Sequence, residues 1–322
     1  MKNRILISGV AGFIGFSLAK NLLDKKIKVY GIDNFDEYYS TSLKKLRIKL
    51  LKQYKNFYFS KIDFTKKILL EKYFKKNNFN YVVHLGAQAG VRYSLVNPEK
   101  YFSTNFIGFN NIIELSIKKK VKKFLYASSS SVYGEQKKFP VNENMELNPK
   151  NIYARTKKLN EEIAFDVNRL SKISMIGMRF FTVYGEWGRP DMFIFKFLKA
   201  LCKNKKMKVF NKGNHLRDFT YINDVTKIII KLIYKKEDNK HHIFNICSNK
   251  PVHLKKLINM MDFLTKKKTS LIMTKFQKTD VLKTHGDNKK IRKFLNLKKF
   301  TNINIGLKKT IDWYLKNEIW KY

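Results

Sequence analysis

The stretch from Arg4 to Gly15 constrains this chain most. The apolar run Ile5-Leu-Ile7 breaks into Gly9-Val-Ala-Gly12-Phe-Ile-Gly15, and an amphipathic segment from Phe16 to Leu23 follows. That order predicts strand, glycine turn, helix. Glycines there let the backbone turn tightly, bring a pyrophosphate against the helix N-terminus, and pack helix on sheet. Gly9, Gly12, Phe13, Ile14 and Gly15 are therefore candidate dinucleotide contacts. A second apolar strand, Lys28 to Ile32, ends in Asp33-Asn34. An acid roughly twenty residues beyond the glycines can accept hydrogen bonds from an adenosine ribose, which favours NAD over NADP.

The alternation continues. Lys44 to Lys55 reads as a basic surface helix, and Phe57 to Ile62 as a strand delivering Asp63, which can hold an adenine amino group or serve as a helix N-cap. Tyr81-Val-Val-His84 is a buried strand running into Leu85-Gly-Ala-Gln-Ala-Gly90. Small residues at a strand's carboxyl end leave room for a cofactor, so Leu85, Ala87 and Gln88 join the candidates. Tyr101 to Ser116 is expected as a helix carrying Asn105, a further cofactor candidate, and Lys123 to Ser128 as the next strand. Strands alternating with helices predict an α/β protein with a doubly wound parallel sheet.

That strand ends in the hydroxyl run Ser128 to Ser131, which is expected to face the ligand crevice. Helical periodicity resumes from Ile152 to Leu170 and begins with Tyr153-Ala-Arg-Thr-Lys157. A tyrosine and a lysine one helical turn apart share a face, and an ammonium beside a phenol favours the phenolate. In a chain with 17 tyrosines the spacing alone carries no weight. It gains weight from a hydride acceptor upstream and hydroxyls on the preceding strand, which make Tyr153 a candidate general base with Lys157 beside it.

Composition sets bounds. With 322 residues, 44% hydrophobic and 14% aromatic, the chain is globular and large enough for a sizeable core. Its net charge of +42 raises nucleic-acid binding, but the lysines are dispersed along the whole length, as in Lys118 to Lys120 and Lys266 to Lys268. A solvated lysine surface is the expectation, with no nucleic-acid partner. Cys202 and Cys247 form no CxxC and no metal site is expected. The leading apolar run is too short for a signal-peptide core and no long apolar span occurs, so a cytoplasmic protein without membrane attachment is expected. After the strand Ser174 to Phe181 the pattern changes to short strands and helices, expected to form a smaller lid. Residues 1–180 are expected to hold NAD, with 219–247 returning to that unit and 181–322 mainly binding substrate.

The glycine loop, the serine run, Tyr153-x-x-x-Lys157 and Arg217-Asp-Phe stand in the order and approximate spacing of the extended short-chain dehydrogenases/reductases. The whole chain resembles the nucleotide-sugar 4-epimerases of that family. His84-Leu-Gly-Ala-Gln-Ala-Gly-Val-Arg-Tyr-Ser94 and Arg179-Phe-Phe-Thr-Val-Tyr-Gly-Glu-Trp-Gly-Arg-Pro-Asp-Met192 are most similar to the UDP-glucuronate 4-epimerases. Gly86 departs from the alanine common there. The resemblance implies a Rossmann-like sheet with a smaller α/β substrate-binding lid, tightly held NAD and a UDP-sugar substrate. It further implies that Tyr153 takes the proton of the sugar 4-hydroxyl as hydride leaves C4. Lys157 would lower the phenol's pKa and hold the nicotinamide ribose, and Ser129 would bond the 4-oxygen.

Related decarboxylases and dehydratases carry an acid where this chain has Ser131, and the dehydratases carry another where it has Ser130. Hydroxyls there suit a sugar carboxylate better than like charges would. Thr182 and Arg189 match positions at the uronate end, although a structural salt bridge would also explain Arg189. A 4-keto uronate is a β-keto acid prone to lose CO2, so Ser130, Ser131 and Thr182 are expected to fix its carboxylate rotamer. Arg217 matches a diphosphate-binding arginine, Asp280 a residue near the uridine ribose, and Val209-Phe210-Asn211 the segment beside the uracil. The resembling epimerases dimerise, so a homodimer is expected. The alternatives are a 4-epimerase of a neutral UDP-hexose such as UDP-glucose, and a non-catalytic Rossmann-fold protein that binds nucleic acid through its lysines.

Overall fold

The computed structural model describes residues 3–277 and 280–322. Its first half alternates β1 (Arg4–Ser8), α1 (Phe13–Asp24), β2 (Lys28–Asp33), α2 (Thr41–Leu51), β3 (Phe57–Lys61), α3 (Lys67–Lys76) and β4 (Tyr81–His84). Two short helices, α4 (Tyr93–Val96) and α5 (Pro98–Tyr101), lead through a π-helical turn at Phe102–Ile107 into α6 (Gly108–Lys118). Then come β5 (Lys123–Ser129), α7 (Ile152–Ser171) and β6 (Ser174–Phe180). The remainder is β7 (Thr182–Tyr184), α8 (Phe193–Cys202), β8 (Met207–Val209), β9 (Leu216–Tyr221), α9 (Ile222–Tyr234), β10 (His241–Ile246), β11 (Pro251–His253), α10 (Leu254–Thr265), β12 (Leu271–Met273), α11 (Lys289–Leu295) and α12 (Ile303–Lys316).

Among the described residues, seven parallel strands make one sheet in the order β10-β6-β5-β4-β1-β2-β3. This is a Rossmann-like α/β fold. Its central strands are apolar runs because helices cover both faces. On one side Phe16 and Leu22 of α1 and Ile228 and Ile229 of α9 close the core. On the other, Phe74 of α3, Phe109 and Ile112 of α6 and Ala164 of α7 do so. The order reverses between β1 and β4, whose carboxyl ends diverge and leave a crevice. Beyond β6 the chain forms two small sheets, β11-β9-β7 and β12-β8, above that crevice. β10 nonetheless pairs with β6, and α9 packs on α1. None of the described helices is long and apolar enough to cross a membrane.

Three local expectations change. The helix expected over Tyr101 to Ser116 is broken by the π-helical turn, which contains Asn105. The helix expected at Lys44 to Lys55 is α2, and it is not wholly a surface helix: Lys44 and Arg47 are buried alongside Leu43, Ile48 and Leu51. The strands β7, β9, β11 and β12 occupy stretches to which the sequence assigns no element, because runs of three to six residues take their structure from remote partners such as Thr182 opposite Phe219.

Lys123 shows how the lid-side helix is fixed to the sheet. Buried at the start of β5, its ammonium donates to the carbonyls of Leu232 (2.8 Å), Ile233 (3.2 Å) and Lys235 (2.5 Å), capping the negative end of α9. Lys123→Met strands those carbonyls and is expected to lower stability by about 1–3 kcal/mol. Urea unfolding of the two proteins checks it, and equal midpoints and slopes would refute the capping role.

Candidate functional site

The crevice is a cavity of about 420 Å³ lined by Gly9, Gly12, Phe13, Ile14, Gly15, Asp33, Asn34, Leu85, Ala87, Gln88, Ser129, Ser131, Tyr153, Lys157 and Arg189. Gly9 sits at φ +70°, and a Cβ there would come within 2.6 Å of the Gly86 Cα. The glycine turn and the end of β4 thus touch backbone to backbone at the switch point. A Cβ on Gly86 would meet the Phe64 ring at 2.6 Å, so in this chain Phe64 occupies the space that an alanine at 86 would need.

Gly12 caps α1 without any side-chain hydrogen bond, leaving the first N–H groups of the helix to the cavity. Uncapped amides at a helix N-terminus suit a pyrophosphate. Asp33 accepts from the amides of Ala11 (3.0 Å) and Phe35 (2.8 Å), and burial raises its pKa against the pull of those bonds and of Lys44 and Arg47. Lys44 reaches the Asp36 carbonyl and lies 4.3 Å from the centre of the Tyr39 ring. Uncapped amides, a buried acid at the end of β2 and a cavity running on to Tyr153 fit a dinucleotide such as NAD.

Tyr153 is the second residue of α7, whose N-cap Asn151 accepts from the Ala154 amide at 2.9 Å. Burial raises the phenol's pKa, while a hydrogen bond with Ser129 and the charge of Arg189 oppose it. Ser129 also accepts from the Ser131 amide at 3.2 Å, and its hydroxyl donates to that of Ser131 at 3.1 Å. Lys157 donates to the Ala127 carbonyl at 2.9 Å, and burial lowers its pKa to about 8 against the charge of Glu161. In the protein alone Lys157 gives one of its three N–H groups to the end of β5, and burial raises the Tyr153 pKa.

One helical turn beyond Lys157, Glu161 accepts from Ser128 (2.5 Å) and from Arg179 Nε (2.9 Å) and Nη2 (2.7 Å). Arg179 also holds the Tyr133 hydroxyl at 2.8 Å, and Tyr133 donates to Asn245 at 2.7 Å. This buried network clamps α7 to β5 and β6. The spacing of Tyr153, Lys157 and Glu161 on one helix face was a signal for it in the sequence.

A second cavity of about 620 Å³ opens from the first past Tyr38, Gly90, Arg189 and Asp191, and is lined by Thr182, Val209, Arg217 and Asp280. Arg189 is paired with Asp191, Nε to Oδ1 at 3.0 Å and Nη2 to Oδ2 at 2.5 Å, and Tyr38 donates to the same carboxylate at 3.2 Å. Burial raises the Tyr38 pKa to about 12. Arg217 forks onto the carbonyls of Leu216 (3.0 Å), Leu282 (3.0 Å) and Val281 (2.7 Å), and burial lowers its pKa to about 10. Asp280 is held by Arg92 at 2.6 Å, and Arg92 lies 4.1 Å from the centre of the Phe210 ring. Arg92, Tyr38 and Asp191 were assigned no role from the sequence.

Four candidates stand outside both cavity walls. Asp63 accepts from Thr65 (2.9 and 2.7 Å) and from Asn34 (3.1 Å); burial would raise its pKa, but these bonds hold it below the ordinary value. It orients Asn34. Asn105 spends its amide on Gln88, accepting from the N–H at 2.8 Å and donating to the C=O at 3.0 Å, and on Thr156 at 3.1 Å. Ser130 begins a 3-10 turn beside its two cavity-lining neighbours, and Asn211 turns back onto the Asn214 carbonyl at 2.9 Å.

Residues 5–247 match the NAD dependent epimerase/dehydratase family. Protein CapI of Staphylococcus aureus is 39% identical over 97% of this chain and 98% of its own. A UDP-glucuronate 4-epimerase of Thermodesulfobacterium geofontis is 37% identical over 97% of this chain and 96% of its own. A crystal structure of a UDP-glucuronic acid 4-epimerase from Bacillus cereus, in complex with UDP-glucuronic acid and NAD, superposes with a TM-score of 0.90 at 28% identity, covering 98% of this chain and 99% of that one. The chain belongs to the NAD dependent epimerase/dehydratase family.

Proposed function

We propose that this protein is an NAD-dependent UDP-glucuronate 4-epimerase, forming UDP-galacturonate. The observation that carries the reading is the continuity of the two cavities at Arg189, with Tyr153 and Ser129 on one side and Thr182, Arg217 and Asp280 on the other. Gly9, Gly12 to Gly15, Asp33 and Asn34 hold NAD, with Gln88 and Lys157 towards its nicotinamide end. When bound, NAD would supply the hydride acceptor, and its positive ring would favour the Tyr153 phenolate. Tyr153 removes the proton of the sugar 4-hydroxyl, helped by its place at the positive end of α7. Ser129 holds the oxygen.

Arg217 and Arg92 meet the diphosphate, Asp280 the uridine ribose, and Val209 the base. Thr182, Ser131 and Arg189 face the uronate. The cofactor unit is 1–180 with 219–247, and 181–322 otherwise forms the substrate-binding part. Exposed apolar side chains at Phe102, Phe106, Phe165 and Leu170, on the π-helical turn and α7, suit a homodimer contact.

Incubating the purified protein with UDP-glucuronate and no added cofactor is expected to yield UDP-galacturonate by NMR. Conversion of UDP-glucose alone would replace this reading with a neutral-hexose epimerase. Thr182→Ala is expected to slow turnover and release a UDP-pentose, because the keto acid's carboxylate is no longer fixed; unchanged products would refute that role. The pH profile is a third test. Lys157 acts as an ammonium and burial lowers its pKa to about 8, so it loses its proton as the pH rises through that value. kcat/KM is expected to fall above about pH 8 in the wild type, and the fall should move upward in Lys157→Arg, whose charge persists. An unmoved alkaline limb would exclude Lys157 as its source.

A further inference from the structure

Arg47 on α2 is fully buried, and the mechanism just given makes no use of it. Its Nη1 donates to the Ala11 carbonyl in the glycine turn and to the Tyr39 hydroxyl, both at 2.9 Å. Its Nη2 donates to the carbonyls of Trp187 at 2.5 Å and Gly188 at 3.1 Å. Its Nε has no partner, and no carboxylate bonds the guanidinium among the described residues. A buried cation that no carboxylate bonds, with Asp33 acting on it only through its charge, is costly, and several well-aimed acceptors offset it.

Its carbonyl acceptors lie on two loops far apart in sequence. Ala11 belongs to the cofactor turn, and Trp187-Gly188 immediately precedes Arg189. The second loop is strained: Trp187 sits at φ +62°, a left-handed conformation that a bulky side chain rarely adopts. Its ring is fixed between Phe16 and Trp313, with centroids 5.0 Å from each. Arg47 holds the carbonyls of this strained turn while the aromatic rings hold its side chain.

We propose that Arg47 is a positioning residue for sugar recognition: by bonding the strained Trp187-Gly188 turn to the glycine turn it sets where Arg189 stands relative to the cofactor. This rests on the reading of Arg189 as a contact of the uronate carboxylate. A guanidinium displaced by an ångström forfeits the bidentate geometry of a carboxylate, whereas a neutral hexose has no such contact to lose. Discrimination between the two sugars should therefore depend on Arg47.

The test compares Arg47→Lys and Arg47→Met, each alone and combined with Arg189→Met, measuring kcat/KM for UDP-glucuronate and UDP-glucose, and both affinities by titration calorimetry. Arg47→Met is expected to lower uronate binding and kcat/KM about tenfold more than the corresponding values for UDP-glucose. Arg47→Lys, which keeps the charge but not the fork, is expected to fall between it and the wild type. In the Arg189→Met background the Arg47 changes should lose their selectivity effect, the non-additivity that marks residues acting through one another. Equal losses on both sugars, or losses that add to those of Arg189→Met, would overturn the proposal and leave Arg47 a stabilising residue only. Should Arg47→Met fail to fold, Arg47→Lys carries the same comparison. A wild type that binds UDP-glucuronate no better than UDP-glucose would overturn the uronate reading itself, and this inference with it, which is a different result from a discriminating wild type whose Arg47 variants discriminate equally well.

Discussion

The backbone contact between Gly9 and the end of β4 is the constraint on which the molecule depends. Parallel strands running in the order β4-β1-β2 leave a crevice only where the winding reverses, and that crevice is usable only if both its lips are thin. Side chains at either lip would separate β1 from β4 or fill the floor. Gly9 and Gly86 keep the lips thin, and Phe64 takes up the volume left beside Gly86. From that point β5 delivers its serines and α7 its tyrosine to the same cavity, because strand carboxyl ends and the starts of the following helices lie on one side of the sheet.

Burial sets the chemistry of the site more than any single charge does. It raises Tyr153 and Tyr38, lowers Lys157 and Arg217, and raises Asp33 even beside two cations. A cavity biased this way against isolated charge favours whatever brings the complementary charge with it. On the proposed reading a dinucleotide would carry a cationic ring to Tyr153 and an anionic pyrophosphate to the start of α1, and a nucleoside diphosphate would carry anions to Arg217 and Arg92. Ligand binding and activation of the base are then one electrostatic event.

The parallel sheet was legible in the sequence because strands covered on both faces become continuous apolar runs, as at Ile5 to Ile7 and Tyr81 to His84, and because each strand end carried a distinct chemical cue. Several polar candidates are engaged by the protein itself, for a common physical reason. A polar side chain named for a ligand from its position can equally serve a backbone group behind the wall, and no spacing distinguishes the two. Asn105 does this for Gln88, Asp63 for Thr65 and Asn34, and Asn211 for its own turn. The opposite case is α2. Four basic residues among Thr41 to Leu51 look solvated, yet Lys44 and Arg47 share the inward face with Leu43, Ile48 and Leu51. Lys44 reaches a carbonyl of the preceding loop, and Arg47 reaches carbonyls in the glycine turn and in the distant Trp187-Gly188 turn, which a local pattern cannot reveal.

Arg189 shows that a structural ion pair and a recognition role are compatible. An arginine facing a cavity with no counter-ion would be costly to bury and free to choose among rotamers. The two bonds to Asp191, with Tyr38 bracing the carboxylate and Arg47 bracing the preceding turn, remove both problems. They engage Nε and Nη2 and leave the Nη1 edge for a ligand. On the proposed reading a uronate carboxylate then meets a guanidinium already oriented, so little of its binding energy goes into ordering the protein. The pairing also reduces the net positive charge that an unpaired arginine would present, so selectivity for the acid must come from the placing of N–H groups. That is why the positions of Arg47 and Asp191 bear on which sugar is accepted, although neither is needed to oxidise it.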